Sequence, residues 1–314
     1  MTQTAHGLDI QGHRGARGLA PENTPPAFAK ALTLGVATLE LDLGVTSDGV
    51  LVVSHNPALN PDITRDSAGA WLAGPSPSIR SLTFRQLQAY DVGRLKPGTA
   101  YAARFPHQQG ADRVRVPAFE EILKLIERSG NKLVRLNIET KLTPTEPEMA
   151  PDPAEFVAAI LKALGAHGLL GRAVIQSFDW RTLIETQKQA PDVPTSYLTI
   201  QKSWLNNIRS GHPGPSPWTA GFDIDDYHGD IPAMIKAAGG RIWSSHHREV
   251  DAGTIRRAHE LGLQVKVWTV NKPDRMKELI AMGVDGIITD YPDRLRQVAA
   301  ELGLPLPAPS PVAP

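Results

Sequence analysis

The segment TLELDLGVTSDGVLVVSHN, residues 38–56, decides how this chain is built. In its first half Leu39, Leu41 and Leu43 alternate with Glu40 and Asp42. On a strand, successive side chains face opposite ways, so the two acids share one face and the three leucines the other. Leucines of this kind pack under covering helices, and the acids then point into the interior of a closed sheet. In the second half, SDGV is a tight Asp-Gly turn, so VLVVS returns as an antiparallel hairpin. A parallel crossover needs about a dozen residues, so this strand stays outside any parallel count.

Working outward, seven more β-type runs share the rhythm: LDIQG (8–12), LVRLNIE (133–139), AVIQS (173–177), TSYLTI (195–200), RIWSS (241–245), QVKVWTV (264–270) and GIITD (286–290). Helical patterns lie between most of them. In TPPAFAKALTLG, for example, Thr24 is placed to cap, Pro25 suits the first turn and Gly35 ends the helix. Eight parallel strands with intervening helices predict an α/β fold, a (β/α)8 TIM barrel whose active site lies at the C-terminal strand ends. A doubly wound open sheet is the alternative. From about residue 56 to residue 116 the rhythm lapses, and a structureless loop this long is uncommon in a compact domain. We expect a small inserted subdomain after the second barrel strand, either rim decoration or a substrate-contact element. One domain then spans residues 8–300. Residues 303–314, ending LPLPAPSPVAP, alternate Pro with small side chains and predict a disordered or polyproline-like tail.

Composition narrows the chemistry. Of 314 residues, 41% are hydrophobic, enough for a large core. Lys plus Arg and Asp plus Glu number 33 each, with no long run of one sign, so nucleic acid is excluded as a partner and a small molecule is expected. Cysteine is absent, which removes disulfides, thiolate metal sites and a cysteine nucleophile. No apolar run approaches the roughly 20 residues of a membrane span. The few residues ahead of LDIQG are too short for a signal peptide, so the sequence as it stands reads as cytoplasmic, or as periplasmic or secreted if a leader has been removed. Oligomeric state is not readable from it.

The charged residues at strand ends carry the function. Glu40 and Asp42 share a face, and so do Asn137, Glu139 and Lys141 in LNIETK. Burying such acids is costly unless something positive answers them. Three carboxylates at one rim suit a hard divalent cation, Mg²⁺ or Ca²⁺; the competing reading is a buried ion network with Arg or Lys. His13 follows the first strand and His55 the hairpin strand, so both can reach the mouth. One could accept the proton of an attacking hydroxyl while the other delivers one to a departing alkoxide. Arg14, between His13 and Gly15, would hold a phosphate oxygen with its planar fork. Gln176 is read either as a donor into the site or as a satisfied core amide, and Trp268 either as substrate wall or as core. His246 and His247 are assigned to a surface loop.

Taken in order, HRGARGLAPENTPPAF (13–28), ELDLGVTSDGVLVVSHN (40–56), NIETK (137–141), QSFDW (176–180), WTVN (268–271) and DGIITDYP (285–292) resemble the bacterial, metal-dependent glycerophosphodiester phosphodiesterase family. The resemblance covers about Ile10 to Pro292. It implies a TIM barrel with an insertion after the second strand, and hydrolysis of glycerophosphodiesters such as glycerophosphocholine or glycerophosphoethanolamine to glycerol 3-phosphate and an alcohol. By it, His13 and His55 are the general acid/base pair, Glu40, Asp42 and Glu139 bind one divalent cation, and Arg14 and Lys141 contact the phosphate. Glu22 and Asn23 support the site. The family has Asp after the second histidine, where this chain has Asn56. The nearest rival is a lysophospholipase D-like or sphingomyelinase D-like enzyme on the same barrel, with an apolar groove supplied by Trp71, Tyr90 and Phe105. A non-catalytic phosphodiester-binding barrel is the third reading.

Overall fold

A computed structural model describes residues 7–314. Its strands in chain order are β1 (Asp9–Gly12), β2 (Thr38–Val45), β3 (Leu51–Val53), β4 (Arg135–Thr140), β5 (Ala173–Ser177), β6 (Thr195–Thr199), β7 (Gln201–Lys202), β8 (Leu205–Asn206), β9 (Ile242–His246), β10 (Gln264–Trp268) and β11 (Gly286–Thr289). Eight of them, β1, β2, β4, β5, β6, β9, β10 and β11, pair in parallel, and β1 bonds both β2 and β11, which closes the sheet into a barrel. The open doubly wound sheet is thereby ruled out. Strand β3 lies antiparallel on β2, as the Asp-Gly turn requires, with Leu43 opposite Val53 and Val45 opposite Leu51.

The helices are α1 (Pro25–Leu34), α2 (Phe84–Leu87), α3 (Ala100–Ala103), α4 (Phe119–Arg128), α5 (Pro153–Ala166), α6 (Trp180–Gln189), α7 (Ile231–Ala237), α8 (Ala252–Glu260), α9 (Pro273–Met282) and α10 (Pro292–Glu301). All but α2 and α3 belong to the barrel's outer ring. Leu39, Leu41 and Leu43 are fully buried between β2 and that ring, while Glu40 and Asp42 are buried on the inner side. Thr24 occupies the cap position of α1 but makes no capping bond; its hydroxyl donates to the Pro21 carbonyl instead. Pro26 removes the N–H of the second helical residue, and that of the third, Ala27, is taken by the Thr24 carbonyl (3.0 Å), so a cap hydroxyl has nothing left to serve.

Residues 56–116 carry α2 and α3 and gather around a separate apolar cluster of Val52, Leu59, Ile79, Leu87, Val92 and Val116. The expectation for the tail needs correcting: it is docked, not disordered. Ser310 N–H donates to the Leu32 carbonyl (2.8 Å), Asn131 Nδ2 to Ser310 Oγ (2.8 Å) and Arg296 Nη1 to the Pro307 carbonyl (2.8 Å). Val312 packs against the main core. Prolines lack one donor but keep their carbonyls, and here those carbonyls are used. The close approach also needs Gly35: its φ is 86°, and a Cβ there would lie 2.7 Å from the Pro307 oxygen. No described helix is long and apolar enough to cross a membrane.

Candidate active site

Strand register builds the site. Between β2 and β4, Glu40 stands opposite Asn137 and Asp42 opposite Glu139; between β4 and β5, Glu139 stands opposite Gln176. All of these side chains are buried. Glu40, Asp42 and Glu139 converge, each offering an oxygen within 4.8 Å of the others. The trio meets some positive charge: Lys141 Nζ lies 2.6 Å from Glu139 Oε1 and 3.7 Å from Asp42 Oδ1, and Arg14 Nε lies 3.3 Å from Asp42 Oδ2. This is less than the trio requires. Burial pushes Glu139 up to about 7 despite Lys141, and burial together with the Asp42 and Glu139 charges pushes Glu40 well above the usual carboxylate range. Burial acts the same way on Asp42, but the His55, Arg14 and Lys141 charges hold it well below that range. Asp42 Oδ1 is nonetheless buried without a hydrogen-bond partner.

The GHRG turn explains the neighbourhood of His13 and Arg14. Gly12 ends β1 where an added Cβ would lie 2.1 Å from the Gly15 carbonyl oxygen, so only glycine fits. Arg14 then takes a left-handed conformation, φ 50°, which non-glycine residues seldom adopt. Its N–H is thereby aimed at Glu40 Oε2 (2.8 Å), and its Nη1 donates to Glu22 Oε1 (2.6 Å). Asn23 is also left-handed, φ 55°, and its Nδ2 donates to Asp42 Oδ2 (2.9 Å). At these two positions the left-handed backbone places donors on the acids.

His13 Nδ1 is 2.7 Å from Asp290 Oδ1, a carboxylate oxygen that only accepts, and 3.2 Å from Arg17 Nη2; with the Nδ1 proton directed to Asp290, Nε2 is left toward the mouth, 3.9 Å from Glu40 Oε2. Burial, then the Arg17 charge, lowers His13 to about 4 against the pull of Asp290. His55 Nδ1 is 2.6 Å from Asn56 Oδ1, an amide oxygen that accepts its proton and likewise leaves Nε2 free. Burial, with Arg14 and Lys141 next, holds His55 well below its usual value. Both imidazoles therefore stand neutral near pH 7, one backed by a carboxylate and the other by an amide.

These groups line one cavity of about 810 Å³. His13, Arg14, Glu40, His55, Glu139, Lys141, Gln176 and Trp268 all border it, whereas Asp42 lies just behind them. Gln176 does less in the open mouth than a substrate ligand would, because Nε2 donates to Glu40 Oε1 (2.8 Å) and Oε1 accepts from Asn137 (2.9 Å). Trp268 Nε1 donates to the Ser244 carbonyl, and its ring stands edge-on to Phe178 at 5.3 Å. His246 packs edge-on to the same ring at 5.4 Å, and His247 is tied to Arg275; neither lines the cavity. The insertion contributes polar groups: Asn56, Asn60, Asp62, Tyr101 and Arg104. The apolar wall stands elsewhere, in Met149, Phe178, Trp204, Leu205 and Trp218. Trp71, Tyr90 and Phe105 are not part of the lining, which corrects the groove expected from them: Trp71 stacks with Arg65, Tyr90 packs against the insertion's own core, and Phe105 lies under Arg17.

Three residues went unread in the sequence. Asp290 follows the last barrel strand, where side chains reach the mouth, and that position was its signal. Arg17 bonds Asp290 through Nε (2.8 Å) and sits one helical turn after His13. Tyr101 donates to Glu22 from the insertion, a long-range pairing with no local signature.

The family model described as the glycerophosphoryl diester phosphodiesterase family matches residues 13–294. The chain belongs to that family. A glycerophosphodiester phosphodiesterase of Bacillus subtilis is 27% identical over 290 residues, covering 91% of this chain and 84% of the relative. One from Caldanaerobacter subterraneus is 27% identical, covering 91% and 95%. Among solved structures, a Silicibacter pomeroyi protein provisionally named a glycerophosphoryl diester phosphodiesterase is 36% identical, with a TM-score of 0.84 and 96% of each chain covered. An Oleispira antarctica phosphodiesterase, solved with the product sn-glycerol-3-phosphate, shares the fold at 19% identity, with a TM-score of 0.68 over 94% of this chain and 97% of its own. The family member described here is accordingly an enzyme, a glycerophosphodiester phosphodiesterase.

Proposed function

We propose that the barrel mouth hydrolyses glycerophosphodiesters such as glycerophosphocholine or glycerophosphoethanolamine to glycerol 3-phosphate and an alcohol. His13 and His55 move the protons, and Glu40, Asp42 and Glu139 hold one divalent cation, Mg²⁺ or Ca²⁺. The observation that carries this is the convergence of three buried carboxylates, two of them on the wall of a cavity that two neutral imidazoles also border. The donor set suits a hard ion: all oxygen, anionic, and with a buried Asp42 oxygen lacking a partner. When bound, the cation supplies charge that draws in the phosphate and offsets the negative charge building on its oxygens.

The chain's own groups do the rest. Arg14, whose Nε has no hydrogen-bond partner, and Lys141 hold the non-bridging phosphate oxygens. One imidazole accepts, at Nε2, the proton of the attacking hydroxyl. The new O–P bond forms as the bond to the departing alcohol breaks, and the other imidazole, which takes up a proton from solvent as the anionic phosphate binds beside it, gives that proton to the departing alkoxide. His13 suits the acid role, because the Asp290 carboxylate behind it stabilises the imidazolium; His55, backed by the neutral Asn56, suits the base. The attacking group is the glycerol's neighbouring hydroxyl, giving a cyclic phosphate that water later opens, or water itself. Trapping cyclic glycerol phosphate during a single turnover selects the first route. The glycerol 3-phosphate held by the Oleispira enzyme is the product that this reaction leaves.

The test is turnover of glycerophosphocholine after chelation, with Mg²⁺, Ca²⁺, Mn²⁺ or Zn²⁺ added back separately. We expect loss on chelation and recovery with at least one hard cation; full activity in the chelated protein would falsify the cation assignment. A second reading has one observation in its favour, the apolar wall of Met149, Phe178, Trp204, Leu205 and Trp218, which suits an alcohol bearing an acyl chain. Comparing lysophosphatidylcholine with glycerophosphocholine decides between them.

A further inference from the structure

Below the three acids, the barrel interior holds an unbroken line of polar contacts. At the closed end Lys266 Nζ donates to Asp9 Oδ2 (2.6 Å), and Gln11 Nε2 donates to the same oxygen (2.8 Å). Gln11 Oε1 accepts from Asn137 Nδ2 (2.9 Å), and that same Nδ2 donates to Gln176 Oε1 (2.9 Å). Gln176 Nε2 then donates to Glu40 Oε1 (2.8 Å). Lys266, Asp9, Gln11, Asn137, Gln176 and Glu40 are all buried, so water does not compete along the line.

Direction is what this line transmits. An amide has a donor end and an acceptor end, whereas an ionised carboxylate only accepts. Asp9 is paired with Lys266 and with Arg135 (2.9 Å), so it stays ionised and requires the NH₂ of Gln11. Gln11 must therefore turn its oxygen to Asn137, which answers with its NH₂. The second hydrogen of that NH₂ takes the oxygen of Gln176, so the Gln176 NH₂ is left facing Glu40. Reversing the line would set an amide oxygen against Asp9 at one end and against Glu40 at the other. Asn137 Oδ1 has no partner, so nothing but these two acceptors selects its orientation.

We propose that Asn137 is a positioning residue for the cation site, acting through Gln176 to keep a donor on Glu40 Oε1 and hold that carboxylate in its ligating orientation. The proposal rests on the reading of Glu40 as a cation ligand. Hydrogen-bond partners behind metal ligands commonly set affinity by about 10- to 100-fold.

The test is a double-mutant cycle read by calorimetric titration of the chelated, full-length protein with Mn²⁺. Asn137→Leu should weaken Mn²⁺ binding by about tenfold, and Gln176→Leu by a similar factor. The double variant should bind no more weakly than Gln176→Leu alone, because Asn137 acts only through that amide. A purely structural role would lower the melting temperature and leave Mn²⁺ affinity and the cycle additive. Folded Asn137→Leu with affinity within about twofold of the parent, or effects that multiply, overturns the proposal. If Asn137→Leu does not fold, Gln11→Met carries the same cycle, with weaker binding expected in the parent and no further loss beside Gln176→Leu. A parent protein that binds no Mn²⁺ overturns the cation reading together with this one, whereas a binding parent with unchanged variants overturns this one alone.

Discussion

His13 shows how much one side chain owes to its neighbours. Its Nδ1 proton is fixed by Asp290, which in turn is held by Arg17 and by Asn271 Nδ2 (2.6 Å). Replacing His13 by Ala should lower kcat by about 10²- to 10⁴-fold while ligand binding survives, as measured by steady-state kinetics alongside product-binding calorimetry. Full residual activity would remove the proton-transfer assignment. At this scale the sequence was informative where chemistry and strand ends coincide: Glu40, Asp42, Glu139, His13 and His55 each sit at or just after a strand that alternation alone identifies. It was silent where a partner comes from far along the chain. Nothing near Glu22 announces Tyr101, which is 79 residues away, and Asp290, 277 residues from His13, is announced only by its own place after the last barrel strand. Gln176 illustrates a different limit: its type and place were legible, but the choice between facing substrate and facing Glu40 depended on Asn137.

At the scale of elements, the eight barrel strands were readable because each alternates or runs apolar within a few residues, and the Asp-Gly turn set β3 apart. The walls of the cavity were not readable, because loops have no period. Their large apolar groups come from the segments after β4 (Met149), β5 (Phe178) and β6 (Trp204, Leu205 and Trp218) and from Trp268 at the end of β10, and the short β7–β8 hairpin holds Trp204 at the rim, 66% exposed. That indole borders the cavity beside Leu205 and Trp218, where a bound apolar chain would cover it. If the substrate carries an acyl chain, Trp204→Ala should raise KM for lysophosphatidylcholine by about 10- to 100-fold, the equivalent of the roughly 1.5–3 kcal/mol of a buried large apolar side chain, and leave that for glycerophosphocholine unchanged. Equal effects on both substrates would argue that the hairpin merely shapes the rim.

For the whole molecule, the buried neutral His13 links folding to acidity. Its value falls from 6.5 in the open chain to about 4 in the fold, so between those pH values the unfolded chain binds the extra proton. Stability is therefore fully present above about pH 6.5 and is lost as pH falls toward 4, by at most about 1.4 kcal/mol for each unit crossed. Asp9 and Asp290, held far below the usual carboxylate range by their cationic partners, keep their contributions throughout that window. Glu139 and Glu40, raised by burial, oppose this drop over the same window and His55 adds to it, so the His13 share is read as a difference: between pH 7 and pH 5, urea melts of the chelated protein should shift less favourably in the parent than in His13→Gln, and an equal shift in the two would assign the effect elsewhere.

The docked tail has a practical corollary. Because Ser310 and Pro307 are pinned beside Leu32, Gly35 and Asn131, at the end of the barrel away from His13 and His55, the last residues emerge on the side opposite catalysis. Attachment of the protein to a resin or an electrode through that terminus would orient every molecule with its entrance toward the bulk solution, and diffusion to the reactive centre would be unhindered by the support.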